Sequence, residues 1–224
     1  MTRLSLGRPL ALLGVAAALL YLGGFVTGLP RLALKPVPAL ALAAWVALRC
    51  RQPLGRLTAA GLLLSALGDV LLDIDRFLAG LAAFLLAHVL YVAAFLSVER
   101  RPALGRALPF AAWGLVAFSL LRPGLGTMAL PVGVYVAVIT VMMWRAAARV
   151  GSPRAPGLAP WLGLAGALAF GASDTLIAFD RFRAPIAGVR LPILLLYWLG
   201  QWGIAASTVP ALTTAKGPDR ARVL

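Results

Sequence analysis

The sequence predicts an all-α protein, a polytopic membrane bundle of eight transmembrane helices. Three observations carry this. The chain is 62% hydrophobic with a mean hydropathy of +0.93, and its 12% charged share is about half that of a soluble domain. Apolar runs of roughly 17–25 residues recur, each long enough to cross a bilayer as a helix. The basic residues gather in short links between those runs, and no extended alternating pattern suggests an outer-membrane barrel.

The helices are expected at about 10–29, 33–49, 56–74, 77–98, 105–121, 127–148, 157–178 and 189–212, in a single transmembrane domain covering residues 1–224. The first follows Arg3 and Arg8 and has no clear A-x-A cleavage site, so it reads as a retained helix rather than a signal peptide. The second opens on Lys35-Pro36, with proline at a first-turn position. The links RCRQPLGR, VERRPALGR, RPGLG and RVGSPRAPG then separate later helices, and none is long enough for a soluble domain. Of 21 Lys and Arg residues, 14 fall on the side of the N-terminus, the links after helices 2, 4 and 6, and the C-terminus. That side is expected to be cytoplasmic, with both termini inside.

The same distribution removes nucleic acid as a partner, because the net charge of +14 follows membrane topology. A single cysteine, Cys50, excludes an internal disulfide and any multi-cysteine metal site. One histidine cannot build a three-His zinc site. Neither a nucleophile elbow nor a glycine-rich phosphate loop is present. No cofactor or metal is expected.

Residues 61–91 organise the chain. Their 62–77 segment, LLLSALGDVLLDIDRF, recurs as ALAFGASDTLIAFDRF at 167–182. The constant offset of 105 sets Asp69 on Asp174, Asp75 on Asp180, Arg76 on Arg181 and Phe77 on Phe182. Five of the seven acidic residues lie in these copies. The copies are four helices apart, so they share an orientation, as in a parallel 4+4 internal repeat. With about eight extra residues in the last link, the repeat also sets His88 opposite Gln201.

Asp69 lies six residues before Asp75, hence roughly 9 Å inside the outer end of its helix. Asp174 sits at the same depth. A carboxylate there costs a few kcal/mol and must face the bundle interior with a partner. Ser65, Gly68 and Asp69 share a helix face, as do Gly166, Phe170, Ser173 and Asp174. Phe84, His88, Tyr91 and Phe95 form one stripe on helix 4, and Tyr197, Gln201 and Thr208 form another on helix 8. Asp73, Asp75 and Asp180 read as interfacial turn and cap residues. Lys35, one of two lysines among nineteen arginines, reads as a counter-ion to the buried carboxylates or as a lipid-phosphate ligand.

Taken together, Lys35-Pro36, Ser65-x-x-Gly68-Asp69, Gly80-x-x-x-Phe84-x-x-Ala87-His88-x-x-Tyr91, Ser173-Asp174-x-x-Ile177 and Tyr197-Trp198-x-x-Gln201 resemble the YhhN family. That family includes the vertebrate TMEM86 proteins, described as lysoplasmalogenases. The resemblance implies hydrolysis of the vinyl-ether bond of lysoplasmalogen to a fatty aldehyde and a glycerophospho-base. Vinyl ethers hydrolyse by protonation at the β-carbon, followed by capture of an oxocarbenium ion by water. Two buried carboxylates can divide the acid and base roles, as in glycoside hydrolysis. The expected catalytic residues are Asp69, Asp174 and His88. The expected substrate contacts are Lys35, Tyr91, Tyr197, Gln201, Ser65 and Ser173. The partners are a lysophospholipid substrate and membrane lipids, and the setting is a bacterial inner membrane. Two other classes also fit the buried carboxylates: a proton-coupled transporter, and a lipid-binding bundle without turnover.

Overall fold

The computed structural model describes residues 7–24 and 27–208, and for Leu29 and Arg31 the backbone alone. Proline sets several helix starts, because its missing N–H falls where no partner exists and its fixed φ suits the first turn. Pro53 opens α4 (Pro53–Asp73). Pro109 lies in the first turn of α6 (Leu108–Leu125), and Pro160 in that of α8 (Ala159–Phe182). The other helices are α1 (Gly7–Gly23), α2 (Gly28–Leu34), α3 (Val37–Arg49), α5 (Phe77–Leu96), α7 (Ala129–Arg149) and α9 (Arg190–Ala206). Among the described residues there is no strand. Five stretches are long and apolar enough to cross a membrane, one of them Leu104–Arg149, which holds both α6 and α7.

Four boundaries differ from the sequence expectation for physical reasons. The first helix ends at Gly23, because Gly24 takes the left-handed φ of +67° that terminates helices. The second begins earlier and is broken by Pro36, which has no N–H to continue the α2 ladder. The fifth runs through Pro123 into what reads as a link, because its end is docked on α8: a Cβ on Gly124 would stand 1.8 Å from the Phe182 carbonyl oxygen. The seventh continues to Phe182, so Asp180 is helical and its carboxylate accepts the Ile186 N–H at 2.7 Å. The predicted end of the last helix at 212, Arg3 and the basic C-terminal residues lie outside the described residues.

The two most extensive helix pairs are α4 with α5 and α8 with α9, the pairs that carry the two copies of the repeated segment. Glycine lets each pair close. Gly68 and Gly61 on α4 take the rings of Phe84 and Tyr91 from α5, while Gly166 lies directly on the backbone of Gly203 and Ile204 in α9. The equivalent residues Phe77 and Phe182 meet edge to face at 5.8 Å, with the Arg181 guanidinium 3.8 Å above the Phe77 ring.

The arginine-rich face is stitched as well as charged. Arg145 donates to the carbonyls of Glu99, Arg101 and Pro102, and Arg106 to those of Ala147 and Val150. Buried Arg149 donates to the Ser207 hydroxyl and carbonyl and lies over the Phe95 ring. Glu99 accepts from the Ser152 hydroxyl, the Arg101 N–H and Arg154. The Ser152 bond in particular holds its carboxyl below the ordinary glutamate value.

Candidate functional site

Three polar layers lie between α4 and α9. Ser65, Asp69 and Asp73 are spaced by four on α4 and so share a face. Arg190, Tyr197 and Gln201 follow spacings of seven and four on α9, again one face, running in the opposite direction.

The deepest layer joins the Ser65 hydroxyl, the Tyr91 hydroxyl and Gln201. Tyr91 donates to Gln201 Oε1 at 2.7 Å and lies 3.4 Å from Ser65 Oγ. One turn outward, Tyr197 donates to Asp69 Oδ2 at 2.7 Å, and Asp69 is only 2% exposed. At the outer end, Lys35 Nζ lies 2.5 Å from Asp73 Oδ1, Tyr21 donates to Asp73 Oδ2 at 3.3 Å, and Arg190 donates to the Tyr21 hydroxyl at 2.7 Å. Lys35 is therefore the direct partner of Asp73 rather than of either deeper carboxylate, and Asp73 does more than close a turn.

Asp174 occupies a different setting. Tyr135 of α7 donates to its Oδ2 at 2.6 Å, and His88 Nε2 stands 3.8 Å from the same oxygen. The His88 ring is fully buried against Phe170, with centroids 4.6 Å apart, and against Tyr135 at 5.3 Å. Asp174 lines an apolar groove walled by residues such as Leu81, Leu121, Val136, Ile139 and Ala178. Its lining comes from the ends of α4, α6 and α8 and the starts of α5 and α7, all at one face of the bundle. Phe84, Phe170 and Tyr197 stack edge to face at 5.3–6.1 Å. This ring cluster links the two settings, since Tyr197 donates to Asp69 and Phe170 packs against His88.

The expected residues thus fall into groups. Asp69 meets Tyr197, Asp174 meets His88, and Ser65, Tyr91 and Gln201 form their own layer. Ser173 is directed elsewhere: its hydroxyl donates to the Ile193 carbonyl at 2.9 Å and ties α8 to α9. Sequence reasoning missed Tyr135, Tyr21 and Arg190. The chain has four tyrosines, and each donates to an Asp or Gln side chain of these layers. Scarcity of tyrosine was the signal. Among the described residues no three His, Cys, Asp or Glu side chains converge as a metal site would need.

Fold and site together define a multi-pass helical membrane protein with two tyrosine-held carboxylates, Asp69 buried and Asp174 half-buried in the lining of an apolar groove. The YhhN family profile matches residues 30–208, which include every one of these layers except Tyr21, and the chain belongs to that family. Bovine lysoplasmalogenase TMEM86A is 38% identical over 157 residues, covering 66% of this chain and 63% of that protein. Human lysoplasmalogenase TMEM86B is 34% identical over 183 residues, 78% and 74% of the two chains. A lysoplasmalogenase of Mycobacterium bovis is 34% identical over 159 residues, 66% and 56%. The chain therefore spans less than two thirds of the bovine and mycobacterial relatives. No solved structure matches it.

Proposed function

We propose that this protein is a membrane-embedded hydrolase that cleaves the vinyl-ether bond of lysoplasmalogen, or of a closely related lysolipid, to a fatty aldehyde and a glycerophospho-base. The observation that carries the reading is Asp174 in the lining of an apolar groove, with Asp69 held by Tyr197 one turn inside the Lys35–Asp73 layer. The names printed for the relatives support the substrate class.

A lysolipid with its alkenyl chain in the groove and its glycerol toward Asp69 presents its two vinyl carbons in a defined order. The β-carbon is on the tail side and the α-carbon on the head side. Asp174 then gives a proton to the β-carbon, leaving an oxocarbenium ion at the α-carbon. Water adds there as Asp69 takes its proton. The resulting hemiacetal collapses, its hydroxyl proton passing to the departing glycerol oxygen, and the proton held by Asp69 returns to Asp174 through solvent. Positioned acid–base groups of this kind contribute about 10²–10⁴-fold each. Tyr197 holds ionised Asp69 by a charge-assisted hydrogen bond, while Tyr135 orients protonated Asp174 by a neutral one, and His88 backs Asp174.

The arginine-rich face is cytoplasmic, both termini are inside, and the membrane is a bacterial inner membrane in this reading. The groove is lined by the helix ends away from the arginine-rich face, which favours a one-sided lipid pocket over a carrier with alternating access.

Detergent-purified protein incubated with lysoplasmalogen should release fatty aldehyde, and Asp69→Asn and Asp174→Asn should not. Well-folded wild type that releases none would reject the activity and leave the carrier reading, which predicts substrate-dependent proton flux in proteoliposomes.

A further inference from the structure

The outer layer gathers donors around Asp73. Lys35 Nζ and the Tyr21 hydroxyl both reach Asp73. Arg190 donates one N–H to the Tyr21 oxygen, lies 5.4 Å from the Tyr21 ring centroid, and meets no carboxylate among the described residues. Trp198 stands edge to face with Tyr21 at 6.2 Å, and its buried indole N–H has no acceptor among the described residues. Lys35 and Tyr21 thus meet on Asp73, with Arg190 on the Tyr21 hydroxyl and Trp198 beside its ring, drawn from α1, the α2–α3 junction and α9. An unmatched buried donor carries a penalty of about 1–3 kcal/mol, and a net positive, donor-rich cluster is built for an anion.

Its position relative to the carboxylates is fixed by helix spacing. Asp73 is one turn outward of Asp69 on α4, about 6 Å along the axis, and Arg190 is two turns outward of Tyr197 on α9. The cluster thus lies on the head side of Asp69, at the separation the glycerol backbone sets between an ether carbon and a phosphate.

We infer that Lys35, Arg190, Tyr21 and the Trp198 N–H form an anion subsite that takes the phosphodiester of the substrate head group. Asp73 holds Lys35 in place there until the phosphate shares it. This rests on the hydrolase reading and deepens it: specificity for a phosphate-bearing lysolipid is set by Arg190 and Tyr21 as well as Lys35. The choline or ethanolamine beyond the phosphate makes no contact that this cluster requires.

The test compares lysoplasmalogen with the 1-alkenylglycerol that has the same chain and vinyl ether but no phosphate. Wild type should show a markedly lower KM for lysoplasmalogen. Arg190→Gln, which leaves the Lys35–Asp73 pair intact, should shrink that KM ratio roughly tenfold or more, as loss of one charge-assisted hydrogen bond implies. Tyr21→Phe and Trp198→Phe should shrink it less. Arg183→Gln, an exposed arginine of the same face outside the cluster, should leave the ratio unchanged. Equal changes for both substrates in Arg190→Gln would mark a structural role and overturn the inference, as would a ratio that does not move. Should neither substrate be cleaved, calorimetric binding of the non-cleavable alkyl lysophospholipid and of alkylglycerol reads the same discrimination without turnover. Loss of the difference in Arg190→Gln upholds the subsite while the hydrolase reading fails. Inorganic phosphate binding as tightly as the lysophospholipid would assign the cluster to the free ion and overturn the lipid assignment.

Discussion

Asp69 and Asp174 occupy equivalent positions in the repeated segment, and each is held by one tyrosine hydroxyl, at 2.7 and 2.6 Å. Their surroundings are otherwise unlike. Asp69 is enclosed between α4 and α9, one turn from a cationic cluster. Asp174 faces an apolar groove, 14% exposed, with the single histidine behind it. The tyrosines are not repeat equivalents, since Tyr197 is on α9 and Tyr135 on α7. The repeated segment carries both carboxylates, and different neighbours give them different environments. Two identical acids become an acid and a base only through such a difference.

The largest expected effects test whether the difference is functional. Asp174→Asn should lower aldehyde release by about 10³-fold or more, with Asp69→Asn close behind, in the range for a removed acid or base. Full turnover in either variant would end the division of labour. Next come the tethers. Tyr197→Phe removes a hydrogen bond to the ionised Asp69, worth about 1.5–3 kcal/mol, and Tyr135→Phe a neutral one to Asp174, worth about 0.5–1.5 kcal/mol, so they should cost roughly 10–100-fold and about 2–10-fold in kcat, each with a smaller change in KM. If Tyr197→Phe is silent while Tyr135→Phe is not, Asp69 does not need its tether and the comparison must be redrawn.

A smaller effect contrasts the two helix pairs. A Cβ at Gly166 would stand 2.6 Å from the Ile204 backbone nitrogen, whereas one at Gly68 meets the edge of the Phe84 ring. Rings can rotate aside and backbone cannot. Gly166→Ala should therefore destabilise by about 1–3 kcal/mol, and more than Gly68→Ala, as read by thermal unfolding in detergent. The smallest effect lies on the arginine-rich face. Glu99 has its folded-state carboxyl held below the ordinary 4.5, first by the Ser152 hydroxyl and then by the Arg101 N–H. A depressed carboxyl contributes stability above its unfolded value, and that stability is lost as pH falls below 4.5 through the folded value. Glu99→Gln should lower the melting temperature at neutral pH and flatten its decline in acid. An unchanged acid decline in the variant would assign the effect to another group.

The fold class and the two carboxylates were legible because few acidic residues in an apolar chain, repeated at a fixed offset, leave little room for another reading. Lys35-Pro36 was legible as a special position, but its partner was not. Asp73 read as an interfacial cap because spacing along α4 does not reveal that Lys35 packs across from it. Tyr135 escaped because it lies in an apolar helix outside the clear repeat, where one phenol among valines carries no periodic signal. The groove escaped for a related reason, being a gap between five helices lined almost wholly by ordinary core residues. Pro123 misled because the docking of Gly124 on Phe182 carries α6 past it despite the i−4 hydrogen bond that proline forgoes.

The central claim is that Asp174 protonates the tail-side vinyl carbon, and hydrolysis in D₂O tests it most directly. Aldehyde trapped as it forms should carry one deuterium at the carbon next to its carbonyl, and Asp174→Asn should abolish its formation. Aldehyde with only hydrogen at that carbon, or deuterated aldehyde formed by Asp174→Asn at the wild-type rate, would contradict the account.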